Sequence, residues 1–201
     1  MTLERCPTPA GPMRLLVARP DGPGPFPVVI MYPHVGGLTD TMRLVADRVA
    51  AGGYACFVLD LYHRLGTIVL DPQSADPDVV AIRRIAAASV TDGDAMADTV
   101  SLLDWLSAQP GLRAGRVGTV GFGRGGSLAV RAASQFADRV GAAASVLGFG
   151  FAPDGAEAAR ARLARITGGV YFAFAEQDDI IPAEVPAELA PLLDGLALDA
   201  G

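Results

Sequence analysis

Six residues, Gly121-Phe122-Gly123-Arg124-Gly125-Gly126, bear most directly on chemistry. They follow the short apolar run Val117-Gly118-Thr119-Val120 and precede a helical pattern that begins near Ser127. A strand that ends in Gly-x-nucleophile-x-Gly and turns straight into a helix presents its central residue on a strained bend, and the tight turn demands small neighbours. In that frame the central residue is Gly123, which has no side chain to attack a carbonyl, so covalent catalysis from this position is not available. The same six residues also match Gly-x-Gly-x-x-Gly, the dinucleotide-binding fingerprint, in a strand-turn-helix context. That alternative expects an acidic residue roughly 20 positions on, at the tip of the next strand. Here the next apolar run ends in Leu147-Gly148-Phe149-Gly150, without a carboxylate, and at least three apolar runs precede the cluster. A third alternative is a packing turn, in which the glycines only let a helix approach a strand.

The remaining reactive side chains are few. His34 and His63 are far apart in sequence and lack the paired spacing of a zinc site. Cys6 falls in a proline-rich leader and Cys56 in an apolar strand, which suggests a free thiol and a core thiol rather than a disulfide framework. No metal and no cofactor are expected. Arg83 and Arg84 could grip a substrate carboxylate or simply form a solvated helix face. Ser127 lies on the helix, four residues past the centre of the glycine cluster, and does not replace the missing nucleophile.

The elements around these residues alternate between short apolar runs and segments of helical period, which predicts a mostly parallel sheet with crossover helices. Strands are expected at 15–18, 28–32, 54–59, 117–120, 142–147 and 170–174. Helices are expected from about Thr39 to Gly52-Gly53, from near Asp78, over 94–108, over 127–137 and over 186–198, the last weakened by Pro191. Residues 65–78 have no clear period and are expected to form a surface excursion of the kind that borders active sites. A chain of 201 residues is long enough for one full core and short for two, so a single domain over 1–201 is expected.

Taken together the segments resemble the dienelactone hydrolase family of α/β hydrolases along nearly the whole chain. Pro27-Val28-Val29-Ile30-Met31-Tyr32 followed by His34-Val35-Gly36-Gly37-Leu38 resembles the family's strand and oxyanion loop. The segment from Val45 to Tyr54 is similar to its first crossover helix, and Leu59-Asp60-Leu61-Tyr62-His63-Arg64 to the stretch after the next strand. The glycine cluster resembles the family's Gly-x-Cys-x-Gly-Gly, and Ala175-Glu176-Gln177-Asp178-Asp179 its aspartate-bearing turn.

The resemblance implies an α/β-hydrolase three-layer sandwich, a mostly parallel sheet with helices on both faces, and hydrolysis of an ester or lactone bond in a small carboxylate substrate. It implies that Gly123 stands at the nucleophile position, that Asp178 is the catalytic aspartate, and that the amides of Val35 and Arg124 are oxyanion donors. His34 stands where the family often has a glutamate; it is expected to line the pocket or to act as a base on water. His63 is expected at the surface or packed in a loop. In this fold the triad histidine follows the aspartate along the chain, and no histidine follows Asp178 here. By comparison with the family the chain is therefore expected to lack a C-terminal strand and histidine loop, and to be impaired as a hydrolase. A non-catalytic pocket for a small carboxylate is the alternative.

Composition bounds the partners. A net charge of −6 and no cluster of basic residues argue against a nucleic-acid surface. No apolar run reaches the roughly 20 residues of a membrane span, and residues 1–12 lack the apolar stretch of a signal peptide, so a cytoplasmic location is expected. A sheet lacking its last strand would expose an edge, and a homodimer through that edge is expected.

Overall fold

In the computed structural model residues 1–151, 155–176 and 184–193 are described. The chain opens with a hairpin: β1 (Thr2–Thr8) and β2 (Gly11–Ala18) pair antiparallel, from Thr2 opposite Val17 to Thr8 opposite Gly11. Strand β1 was not expected, the first expected strand being 15–18. Pro7 and Pro12 face each other across the hairpin, and β1 lies at the edge of the sheet, where a strand tolerates a missing N–H. The turn is closed by the Thr8 hydroxyl, which donates to the Gly11 carbonyl at 2.7 Å.

The chain continues through β3 (Phe26–Tyr32), α1 (Asp40–Ala51), β4 (Ala55–Leu59), α2 (Pro77–Ser89), α3 (Asp92–Ser107), β5 (Leu112–Phe122) and α4 (Arg124–Gln135). Then come β6 (Val140–Val146), α5 (Ala156–Leu163), β7 (Gly169–Ala173) and α6 (Glu184–Leu193). The described strands form one seven-stranded sheet in the order β1-β2-β4-β3-β5-β6-β7, parallel from β4 through β7, with β2 antiparallel to both of its neighbours. The expected strands are present, and the helix after the glycine cluster begins at Arg124 rather than near Ser127. Helix α5 was not anticipated. The expectation of a missing C-terminal strand and histidine loop falls outside the described residues.

Alternation along the strands sorts the core onto two faces. Leu15, Val17, Ile30 and Phe57 join one apolar cluster with α3, α4, α5 and α6, whereas Leu16, Ala18, Met31, Cys56 and Val58 join another with α1. Helix α1 starts where Thr39 caps the Met42 amide and stops at Gly52-Gly53, where Gly53 adopts a positive φ of 91°.

Two arrangements of charge fix the loops after β4. Asp60, fully buried, accepts from Arg14 Nε at 2.8 Å and from the Tyr62 amide at 3.1 Å, which ties the end of β4 to β2. Asp98 on α3, also buried, receives a bidentate contact from Arg64 at 2.6 and 3.0 Å, with His63 Nε2 3.1 Å away. Buried carboxylates persist only when paired in this way. The His63 side chain is 2% exposed, so of the two expected placements the structure takes loop packing and not the surface.

Candidate functional site at the turn between β5 and α4

The glycine cluster forms a sharp strand-to-helix turn in which Gly123 has φ 55° and ψ −125°, a conformation that a residue with a side chain adopts only under strain. Three neighbouring glycines are required by packing. A Cβ on Gly121 would overlap the Gly125 carbonyl, one on Gly125 would overlap the Tyr32 and Pro33 carbonyls, and one on Gly126 would overlap the Ser145 hydroxyl. The first turn of α4 therefore lies directly on the ends of β3 and β5. Gly123 differs: among the described residues a Cβ there meets only the Phe149 ring, at 3.9 Å. Among the described residues a Cβ fits at this position without overlap.

Arg124 supplies the first amide of α4, which has no partner inside a helix. Among the described residues nothing accepts from it, whereas the Gly123 amide continues the ladder to the Val146 carbonyl at 2.9 Å and the Gly126 amide returns to the Gly123 carbonyl at 2.8 Å. The Arg124 guanidinium is engaged elsewhere, 2.6 Å from Asp92, whose other oxygen meets Arg131 at 2.6 Å. What Arg124 offers at the turn is its backbone.

Across from this amide runs the loop after β3. The His34 carbonyl accepts from the Gly37 amide at 3.0 Å, and a trans peptide then directs the Val35 N–H the opposite way. That N–H has no partner among the described residues. The next peptide is pinned at both ends: the Tyr62 hydroxyl donates to the Val35 carbonyl at 2.9 Å, and the Gly36 amide donates to His34 Nδ1 at 2.9 Å. The excursion at 65–71 holds the loop from outside, through the Leu70 amide on the Gly36 carbonyl and a bridge between Gly37 and Val69.

His34 is thus occupied with the loop. Because Nδ1 accepts from Gly36, the neutral ring carries its proton on Nε2, which faces Thr39 Oγ1 at 3.3 Å. Burial lowers its pKa from the ordinary 6.5. Neither lone pair nor proton is left over for a base acting on water in this arrangement. The other sequence candidates are placed as follows. Arg83 holds the excursion by donating to the Asp71 and Pro72 carbonyls at 3.1 and 2.7 Å, Arg84 is exposed on α2, and the Ser127 hydroxyl donates to the Arg124 carbonyl at 2.9 Å. Asp178 lies outside the described residues.

Sequence reasoning missed Tyr62, whose hydroxyl reaches back 27 positions to Val35, and Ser145. The Ser145 hydroxyl is buried beneath Gly126 and Gly148 and has no hydrogen-bond partner among the described residues. Neither thiol stands in for a nucleophile. Burial, with Asp98 adding to it, pushes Cys6 up to about 11, and burial, with Asp47 adding to it, pushes Cys56 up to about 12, far from the values of reactive thiolates.

A central parallel sheet flanked by helices, with a glycine-lined turn at the carboxyl end of a middle strand, defines the α/β-hydrolase class. The model of the dienelactone hydrolase family matches residues 13–194, and the chain belongs to that family. Its similarity extends to a Synechocystis protein named "Putative carboxymethylenebutenolidase", 27% identical over 83% of this chain and 67% of that protein. A Bradyrhizobium protein named "Probable 2-oxo-3-(5-oxofuran-2-ylidene)propanoate lactonase" is 29% identical over 62% of this chain and 47% of its own length. The chain thus spans about half of the latter. Among solved structures, a Klebsiella pneumoniae protein described as a "Putative Dienelactone Hydrolase" superposes with a TM-score of 0.80 at 23% identity, over 98% of this chain and 81% of that one.

Gly123 and Gly125 are expected to respond differently to a Cβ. Gly123→Ala is expected to fold and to lose about 1–3 kcal/mol to backbone strain, whereas Gly125→Ala is expected to yield no native protein. Urea unfolding followed by circular dichroism checks both; equal losses would contradict the assignment. His34 predicts a pH effect. The unfolded chain takes up the histidine proton at a higher pH than the folded chain does, so this contribution to stability is complete above 6.5 and declines as pH drops below it. Comparing unfolding at pH 7.5 and 5.5, the difference should be smaller in His34→Gln, and an unchanged difference would refute the role.

Proposed function

We propose that this dienelactone hydrolase family chain holds a small carboxylate, ester or lactone at the β5–α4 turn and is impaired as a hydrolase because Gly123 stands at the nucleophile position. One observation carries the reading: the strained turn is present at Gly123 and a Cβ would fit there among the described residues, yet the position carries no side chain. Backbone amides can stabilise negative charge whatever residue precedes them. The unpartnered amides of Val35 and Arg124 are therefore the proposed donors to a carboxylate or carbonyl oxygen, with the positive end of α4 favouring an anion. His34 contributes by fixing the loop that carries Val35. The resemblance assigns the aspartate of the site to Asp178, and the reading does not rest on it.

The Bradyrhizobium relative is named as the lactonase of a propanoate, which favours a carboxylate-bearing lactone as the compound to try first. No cofactor is part of the proposal. The absence of nucleic-acid partners is proposed from the net charge of −6, and a cytoplasmic location is proposed as the sequence reading gave it. No helix among the described residues is long and apolar enough to cross a membrane.

With short aryl esters and small lactones the chain is expected to show no turnover above buffer, while a small dicarboxylate at about 100 times its Kd should raise stability by about 2.7 kcal/mol. Turnover in the wild type that disappears in Asp178→Asn would overturn the reading of impairment, and the absence of any carboxylate effect would overturn the binding function.

Association is proposed through β7. It pairs only with β6 among the described strands, exposes Tyr171, and lies beside an apolar concavity of about 860 Å³ lined by Val29, Val120, Ala144, Val170 and Tyr171. Exposed edges of this kind invite pairing. Light scattering should give twice the 20.7 kDa chain mass, falling to one chain in Tyr171→Lys; a monomeric wild type would contradict it.

A further inference from the structure

A second cleft lies at the far end of the same sheet. The β1–β2 register sets Arg5 directly opposite Arg14, and directly opposed residues of an antiparallel pair share a face, with Cβ atoms about 5 Å apart. Like charges placed so repel each other. Arg14 is answered by Asp60 through Nε and Nη2, and its Nη1 donates to Thr67 Oγ1 at 2.6 Å. Arg5 is exposed and has no hydrogen-bond or ion-pair partner among the described residues. Nothing in the hairpin requires a cation at position 5.

Between the hairpin turn and the loop after β4 these residues line a cleft of about 300 Å³, together with Gly11, Pro12, His63 and Thr67. The charges around it do not cancel. Asp60 balances Arg14 and Asp98 balances Arg64, so the Arg5 guanidinium is in surplus in a chain of net charge −6. A guanidinium carries five N–H groups. Three of those on Arg14 are committed to Asp60 and Thr67, which fixes its plane and leaves two, and all five on Arg5 are open.

The geometry points to a binding site for a small oxyanion, a carboxylate or phosphate group, gripped between Arg5 and Arg14. Planar forks of this type match such anions through paired hydrogen bonds, and an anion between the two arginines replaces their repulsion with two attractions. His63 closes the inner wall. With its Nε2 beside the Asp98 carboxylate, its other ring nitrogen is the remaining polar atom of that side chain. The site is separate from the turn at Gly123. Strands β4 and β3 intervene between β2 and β5, and three strand steps span on the order of 14 Å, beyond the reach of one small acid. It therefore holds whether or not the reading of Gly123 does.

Calorimetric titration of the 201-residue chain with inorganic phosphate, and separately with succinate, tests this at constant ionic strength. At least one anion is expected to bind saturably, with affinity reduced about tenfold or more in Arg5→Gln. Tighter binding of phosphate would name phosphate esters as the source of the anion, and tighter binding of succinate would name carboxylic acids. A carboxylate held at Gly123 would survive Arg5→Gln, so the two sites are told apart by the variant. Without anion, Arg5→Gln should melt no lower than the wild type, because it removes a repulsion and no partner. The proposal is overturned if neither anion binds the wild type with a Kd below about 10 mM, if Arg5→Gln binds both as the wild type does, or if the variant melts lower in anion-free buffer.

Discussion

The first turn of α4 touches backbone, and most of the site follows from that contact. Gly125 lies against the Tyr32 and Pro33 carbonyls, Gly121 against Gly125, and Gly126 against Ser145, so helix and strands approach more closely than any side chain allows. This approach forces the chain to turn within one residue, and that residue is Gly123. The helix axis is thereby aimed so that its free amide end opens at the carboxyl rim of the sheet, beside the loop after β3. A fold that packed α4 one side-chain layer farther out would lose both the turn and the juxtaposition.

The loop after β3 is held with comparable care, by residues drawn from four segments. His34 and Tyr62 fix the Val35–Gly36 peptide, Leu70 takes the Gly36 carbonyl, and Asp60, anchored to Arg14, sets the segment from which Tyr62 projects. Preorganised amides are the costly part of an oxyanion site to build, since they must be left without partners until a ligand arrives. In this chain the Val35 and Arg124 amides have no partner among the described residues, while the turn carries glycine. In the proposed function the arrangement serves binding, and the chemistry a nucleophile would have added is absent.

Much of this was legible in sequence because it is written in local spacing. The glycines reveal the turn, apolar runs reveal the strands β3 to β7, and Thr39 with Gly52-Gly53 brackets α1. The parts that escaped are those set by distant partners. Strand β1 was hidden by Pro7 and by an edge position that leaves alternate residues exposed. Helix α5, AEAARARL, is short and buries only Ala159 and Leu163, so it has almost no apolar face to recognise. The pairing of His63 and Arg64 with Asp98 joins residues about 35 positions apart, and no local pattern announces it. His34 was visible as a polar residue at a strand end, but its role depends on the amide of Gly36 and the hydroxyl of Thr39, which only the folded loop brings to it.

The proposed impairment means that no covalent intermediate forms at the β5–α4 turn. The chain contains no lysine, and both thiols are buried, so acylation by an activated ester leaves few competing sites. Intact-mass spectrometry after exposure to an aryl ester, followed by peptide mapping of residues 117–131, tests the claim most directly. No acyl adduct is expected on that peptide at any time point. A stoichiometric adduct within it, on Ser127 or any other residue, would overturn the proposed impairment.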